Sequence, residues 1–183
     1  MNKGFYSVMA AEFFSSLADN ALLIVAIALL AQMNAAPWMT PLLRLFFVMS
    51  YVGLAAFVGA FADALPKGKV MFITNTVKFC GCSLIFAGVH PLLAYAIVGL
   101  GAAAYSPVKY GILTELLPAE KLVIANGWIE GLTVTSIVMG TVLGGALINK
   151  HVSVFLLDHM TFAGSPAAAA LVVIMGVYVL AAL

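Results

Sequence analysis

Charge is what this 183-residue sequence has least of: Lys, Arg, Asp and Glu together make up 8% of it. A soluble domain carries about 25%. A chain so poor in charge cannot cover a water-facing surface, which excludes a soluble globular enzyme. Its 64% hydrophobic content excludes a disordered region. Eight Lys/Arg against seven Asp/Glu leave a net charge of +1, with no basic stripe for a nucleic acid. Cysteine is nearly missing as well. Cys80 and Cys82 lie inside an apolar run. Two positions apart on a helix they point about 200° away from each other, so they read as packing residues and not as joint metal ligands. There is no cleavable signal peptide, because the first apolar stretch runs far past an h-region. No catalytic constellation, cofactor motif or Gly-rich phosphate loop is present: Gly99 and Gly101 sit in an apolar helix, and His90, His151 and His159 fall in loops.

What the sequence does have is apolar length, with a mean hydropathy of +1.16. At roughly 20 apolar residues per span, the expectation is an all-α membrane protein, a bundle of six transmembrane helices. The spans are read at about 6–30, 42–62, 70–89, 92–113, 122–148 and 166–183. A polar loop carrying Asn149, Lys150, His151, Asp158, His159 and Ser165 precedes the last one. The sequence is still apolar at Leu183, with no charged flank, so the chain reads as a piece cut in or after its sixth helix. Lys3, Lys67, Lys69 and Lys121 fall on one side, with Lys109 near it, and Arg44 and Lys150 on the other. By the positive-inside rule the N-terminus is expected in the cytoplasm.

Charges inside the spans are costly, about 2.5–3.5 kcal/mol each at the bilayer centre on insertion scales. At 1.5 Å per residue, Glu12 lies roughly 9 Å deep, and Lys78 and Glu130 each roughly 12 Å. Their matched depth and opposite signs predict that Lys78 meets Glu12 and Glu130. Asp19 lies roughly 20 Å deep, near the midplane. It is seven residues after Glu12, on the same helix face, with Asn20 beside it. A midplane carboxylate cannot snorkel to water, and it is read as a cavity-lining group or as one half of a structural pair. Lys109, from depth alone, is a headgroup anchor. Helices one, two, four and five are expected to share a polar, small-residue face that includes Asp19 and Asn20. Gly140 and Gly144 have the spacing of close helix packing, and Pro107 is expected to kink helix four.

The segment from Gly59 to Lys69, with Asp63 and Gly68, resembles the signature between helices two and three of the major facilitator superfamily. It differs in that the second Gly falls five residues after the Asp instead of three, and the Arg after the Asp is missing. Three further segments resemble the lysophospholipid transporter family. They are Leu17-Ala18-Asp19-Asn20-Ala21-Leu22-Leu23, the stretch from Gly101 through Tyr105-Ser106-Pro107-Val108-Lys109-Tyr110-Gly111 to Glu115, and Lys121 to Gly127. The resemblance covers nearly the whole chain. It implies the N-terminal half of a transporter of the bacterial inner membrane. Such a protein moves lysophosphatidylethanolamine and related lysolipids to the cytoplasmic leaflet, where an acyltransferase, a partner or a fused domain, re-acylates them. It also implies functional roles for Asp19, Asn20 and Lys109, with Glu12, Lys78 and Glu130 as supporting charges. Gly59, Asp63, Gly68 and Lys69 then form the motif between the halves. Two other readings stay open: a proton- or ion-coupled exporter of small amphiphiles on the same fold, and a membrane subunit that anchors without transporting.

Overall fold

The computed structural model describes residues 3–160 and 163–182, the side chain of Lys3 excepted. That side chain, counted above for orientation, and Leu183, the expected end of the last span, lie outside the described residues. Every described element is helical: α1 Lys3–Gln32, α2 Met39–Ala64, α3 Lys67–Phe86, α4 Pro91–Leu116, α5 Ala119–Ile148, α6 Lys150–His159 and α7 Pro166–Ala182. The first five are long and apolar enough to cross a membrane. The seventh is apolar and 17 residues long.

The breaks between helices follow from turn chemistry. At one end of the bundle, α2–α3 and α4–α5 are separated by Leu65-Pro66 and Leu117-Pro118, each Leu in extended backbone. Proline ring sterics force that conformation on the preceding residue and stop the helix. At the other end, α1 and α3 close with the same hydrogen-bond pair. Ala35 N–H donates to Leu30 O and Asn34 N–H to Ala31 O. Val89 N–H donates to Leu84 O and Gly88 N–H to Ile85 O. These are Schellman caps, and they need a left-handed residue, supplied by Asn34 at φ 51° and Gly88 at φ 89°.

The polar stretch expected as a loop after α5 is instead partly helix. Asn149 caps α6 by accepting the His151 N–H at 3.0 Å, so His151 and His159 belong to a helix and not to a loop. An Asn followed by apolar residues at helical spacing is an N-terminus signal that overall polarity hides.

Helices in lipid gain little from the hydrophobic effect and pack through close backbone approach. The glycines show where. A Cβ on Gly144 would lie 2.7 Å from Ala21 O, and one on Gly140 would strike Leu17 O, so these two seat α5 on α1. Gly99 meets the Phe47 backbone of α2, and Gly101 meets Thr74 O of α3 at 2.8 Å. Helix α4 is thereby clasped from both sides, and α7 packs on α1 and α3. Helices α1 and α4 are the most buried of the long helices, and α2 and α5 the least. Pro107 lies inside α4, which continues through it.

Candidate functional site

A cavity of about 560 Å³ opens between the helices. Glu12, Ser15, Ser16, Asp19 and Asn20 line it from α1, and Arg44, Phe47, Val48 and Tyr51 from α2. Lys78 enters from α3, five residues from Tyr95 to Lys109 from α4, and Thr133 and Ile137 from α5. Arg44, Val48 and Tyr51 are exposed, so the α2 wall is its open side. The polar residues of α1 reach one cavity because their spacing of three, four and seven repeats the helix turn.

Two buried ion pairs dominate it. Lys78 Nζ lies 2.7 Å from Asp19 Oδ2 and donates to Ser15 Oγ at 2.8 Å. Lys78 is 2% exposed and Asp19 8%, so both charges are largely withdrawn from water. Tyr178 of α7 donates its hydroxyl to Asp19 Oδ1 at 2.8 Å. Ser15 Oγ donates onward to Asn75 Oδ1, and Asn75 Nδ2 to Ala181 O of α7. The Asp19 backbone carbonyl accepts from the Tyr95 hydroxyl at 3.3 Å. Asp19 thus ties α1 to α3 and α7 through its carboxylate and to α4 through its backbone carbonyl. The second pair is Lys109 Nζ to Glu12 Oε1 at 3.1 Å, shared with Thr133 Oγ1 of α5, which donates to the same carboxylate oxygen at 3.0 Å. Lys109 Nζ also sits 5.0 Å from the Tyr110 ring centroid.

These partners differ from the ones expected from depth. Lys78 joins Asp19, seven residues further along α1 than Glu12, because a long four-carbon stem spans the offset in depth. Glu12 is taken by Lys109, which is buried rather than a headgroup anchor. Glu130 lies outside the cavity lining, is exposed, and accepts the Tyr110 hydroxyl. Asn20 lines the cavity while its amide donates to Ser16 O at 2.9 Å. Gly59 and Asp63 in the last turns of α2, and Gly68 and Lys69 in the first turn of α3, sit away from the cavity. There the partner of Asp63 is Lys67, at 2.6 Å. Lys67 also donates to Ala62 O, near the end of α2. Among the described residues no group of His, Cys, Asp or Glu is gathered to hold a metal ion. Cys82 is buried, with its thiol toward Leu171 O at 3.8 Å, and Cys80 is exposed.

Sequence reasoning misses several cavity groups. Arg44 reads as a flanking cation, although it stands six residues into α2 as that helix's one cation. Tyr178 carries a signal in being the lone polar side chain of an aliphatic helix. Tyr95 and Tyr105 look like ordinary aromatic packing.

The chain is homologous to curated proteins named Lysophospholipid transporter LplT. It is 46% identical to the protein from Yersinia enterocolitica over 156 residues, which is 85% of this chain and 39% of that one. It is 46% identical to the Klebsiella pneumoniae protein over 151 residues, 82% of this chain and 38% of the relative. The Salmonella paratyphi B protein is 45% identical over 168 residues, 91% of this chain and 42% of the relative. The resemblance to lysophospholipid transporters is therefore borne out, and these relatives carry the name of a transporter. The chain spans about two fifths of the length of the curated relatives it matches. No family profile matches it.

Proposed function

We propose, from the likeness to lysophospholipid transporters, that this chain is the six-span N-terminal half, residues 1–183, of a major facilitator type lysolipid transporter in the bacterial inner membrane. It carries lysophosphatidylethanolamine-type lipids to the cytoplasmic leaflet for re-acylation, its N-terminus cytoplasmic. The observation that supports this most is the cavity itself: two buried ion pairs facing an open space in an otherwise apolar bundle. An anchoring subunit has no use for that cost. A lysolipid has a zwitterionic head and a single tail. The head needs polar partners, and the tail fits the apolar surface of α2 and α5, where Val52, Phe57, Trp128 and Val142 are all exposed.

In this reading Asp19 and Asn20 meet the ammonium, and Lys109 meets the head as the pairs rearrange. Glu12 and Lys78 keep each site neutral between turnovers, and Glu130 steadies Tyr110. Access alternates as this bundle rocks against a second one across the α2 and α5 faces. Gly59, Asp63, Gly68 and Lys69, in the helix ends that flank the α2–α3 turn, are the motif that such rocking bends. The transporter itself makes no covalent change, and an acyltransferase consumes what it delivers.

The test is uptake of labelled lysophosphatidylethanolamine by spheroplasts expressing the full-length protein. The expected result is labelled diacyl lipid above a transporter-free control, unaffected by an excess of a drug-like cation. Uptake no greater than the control contradicts lysolipid transport. Competition by the cation alone favours an exporter of small amphiphiles.

A further inference from the structure

The cavity is not electrically balanced. Lys78 is paired with Asp19 and Lys109 with Glu12, so both lysines are neutralised where they stand. Arg44 lines the same cavity, and among the described residues no carboxylate pairs with it. Three cations against two carboxylates leave one positive charge, and it sits on the guanidinium. Arg44 lies on the exposed wall of α2, beside the hydroxyl of Tyr95. That hydroxyl is itself fixed on the Asp19 carbonyl. The free cation therefore stands at the open side, one residue away from the midplane ion pair. Further along α4, Tyr105 lines the same cavity, and its hydroxyl is buried with no hydrogen-bond partner among the described residues.

We propose that Arg44 is the phosphate-recognising residue of this cavity, taking the phosphodiester of a single-chain lipid headgroup. This rests on the transporter reading above and adds a specificity determinant to it. The chemistry follows from the two kinds of cation present. A lysine that is already ion-paired must break that pair before it binds a second anion. A guanidinium with no carboxylate on it binds a phosphate through two parallel N–H···O bonds without first breaking an ion pair. In a wall of low polarity, one unmatched positive charge attracts one anion. The phosphate neutralises Arg44, and the ammonium of the same headgroup is left facing the Asp19 side, where the next negative charge lies. An unpaired Arg at this position selects for phosphate-bearing lipids over neutral single-chain lipids. The Tyr105 hydroxyl is a second donor for the same oxygens or for the glycerol hydroxyl.

The test is binding to the full-length protein in nanodiscs, with lysophosphatidylethanolamine, a monoacylglycerol of the same chain, and inorganic phosphate as separate probes. The parent should bind the lysolipid at least tenfold more tightly than the monoacylglycerol. Inorganic phosphate should compete weakly, which separates a lipid headgroup site from a free-phosphate site. Arg44→Gln should abolish the preference, Arg44→Lys should restore part of it, and neither should change the melting temperature. Two results overturn the proposal: a parent with no preference, or an Arg44→Gln variant that keeps it. Uptake in spheroplasts is read in parallel. Preferential binding without uptake in the parent overturns the transporter reading and leaves the Arg44 site standing.

Discussion

Asp19 and Lys78 are worth little apart. With its partner 2.7 Å away and both side chains out of water, Asp19→Asn leaves a buried ammonium with no counter-charge. Breaking one side of such a pair costs about 3–5 kcal/mol, whereas replacing both sides with neutral groups is often close to neutral. The first prediction is therefore that Asp19→Asn alone lowers the melting temperature in lipid, and that adding Lys78→Gln restores most of the loss. Seen from the sequence, Asp19→Asn changes only a working charge. The structure makes it a stability change as well, because the spacing along one helix shows which residues share a face but not which cation of another helix arrives there. Tyr105 behaves in the opposite way. Its hydroxyl has no partner among the described residues, so Tyr105→Phe removes no bond. A buried unsatisfied hydroxyl costs about 1–3 kcal/mol. Tyr105→Phe should be neutral or stabilising in thermal melts without substrate, and a clear loss would mean that the hydroxyl is satisfied in the protein.

At the scale of helices, the seam between α1 and α5 is held by two glycines on one face. A methyl group on Gly144 would meet Ala21 O at 2.7 Å and Ile24 Cβ at 2.8 Å, a clash with backbone and with a stiff branched carbon. At Gly145, the next residue, a methyl group would find nothing within 4 Å. Overpacking of this kind costs about 1–3 kcal/mol, and Gly to Ala in a free helix position gains up to about 1 kcal/mol. Gly144→Val should therefore lower the melting temperature and Gly145→Ala should hold or raise it. Equal effects at the two positions would mean that α5 is not seated on α1 in this way. The packing role of Gly140 and Gly144 was legible from their spacing. The clasp of α4 by α2 and α3 was not, because Gly99 and Gly101 are adjacent in pattern but point to different neighbours, a fact that only the bundle's arrangement supplies. Helix α7 is a similar case. Tyr178 and the Ala181 carbonyl join it to the Asp19 network. Tyr178→Phe should loosen α7 from α1, read as faster amide exchange confined to α7.

For the whole molecule, composition carried the most. Scarce charge and long apolar runs pointed to a helical membrane protein, and the five long apolar helices agree with it. The polarity of the stretch after α5 concealed α6, since a short helix capped by Asn149 does not need an apolar face of spanning length. The cavity was legible in part: the stripe of Glu12, Asp19 and Asn20 on one helix marked one wall. The opposite walls depend on where α2, α3 and α4 bring Arg44, Lys78 and Lys109, and the pairing among them follows from side-chain reach across helices rather than from depth.

These scales meet in one question, whether the Asp19 carboxylate serves transport or only holds helices together. Uptake of labelled lysophosphatidylethanolamine by the full-length Asp19→Asn/Lys78→Gln double variant answers it most directly, at expression and melting temperature matched to the parent. The variant is folded, because its buried charges are removed together, and it lacks the negative charge for the ammonium. Loss of uptake to the level of the transporter-free control is the result this account predicts. Uptake equal to that of the parent would contradict it and make Asp19 a structural residue.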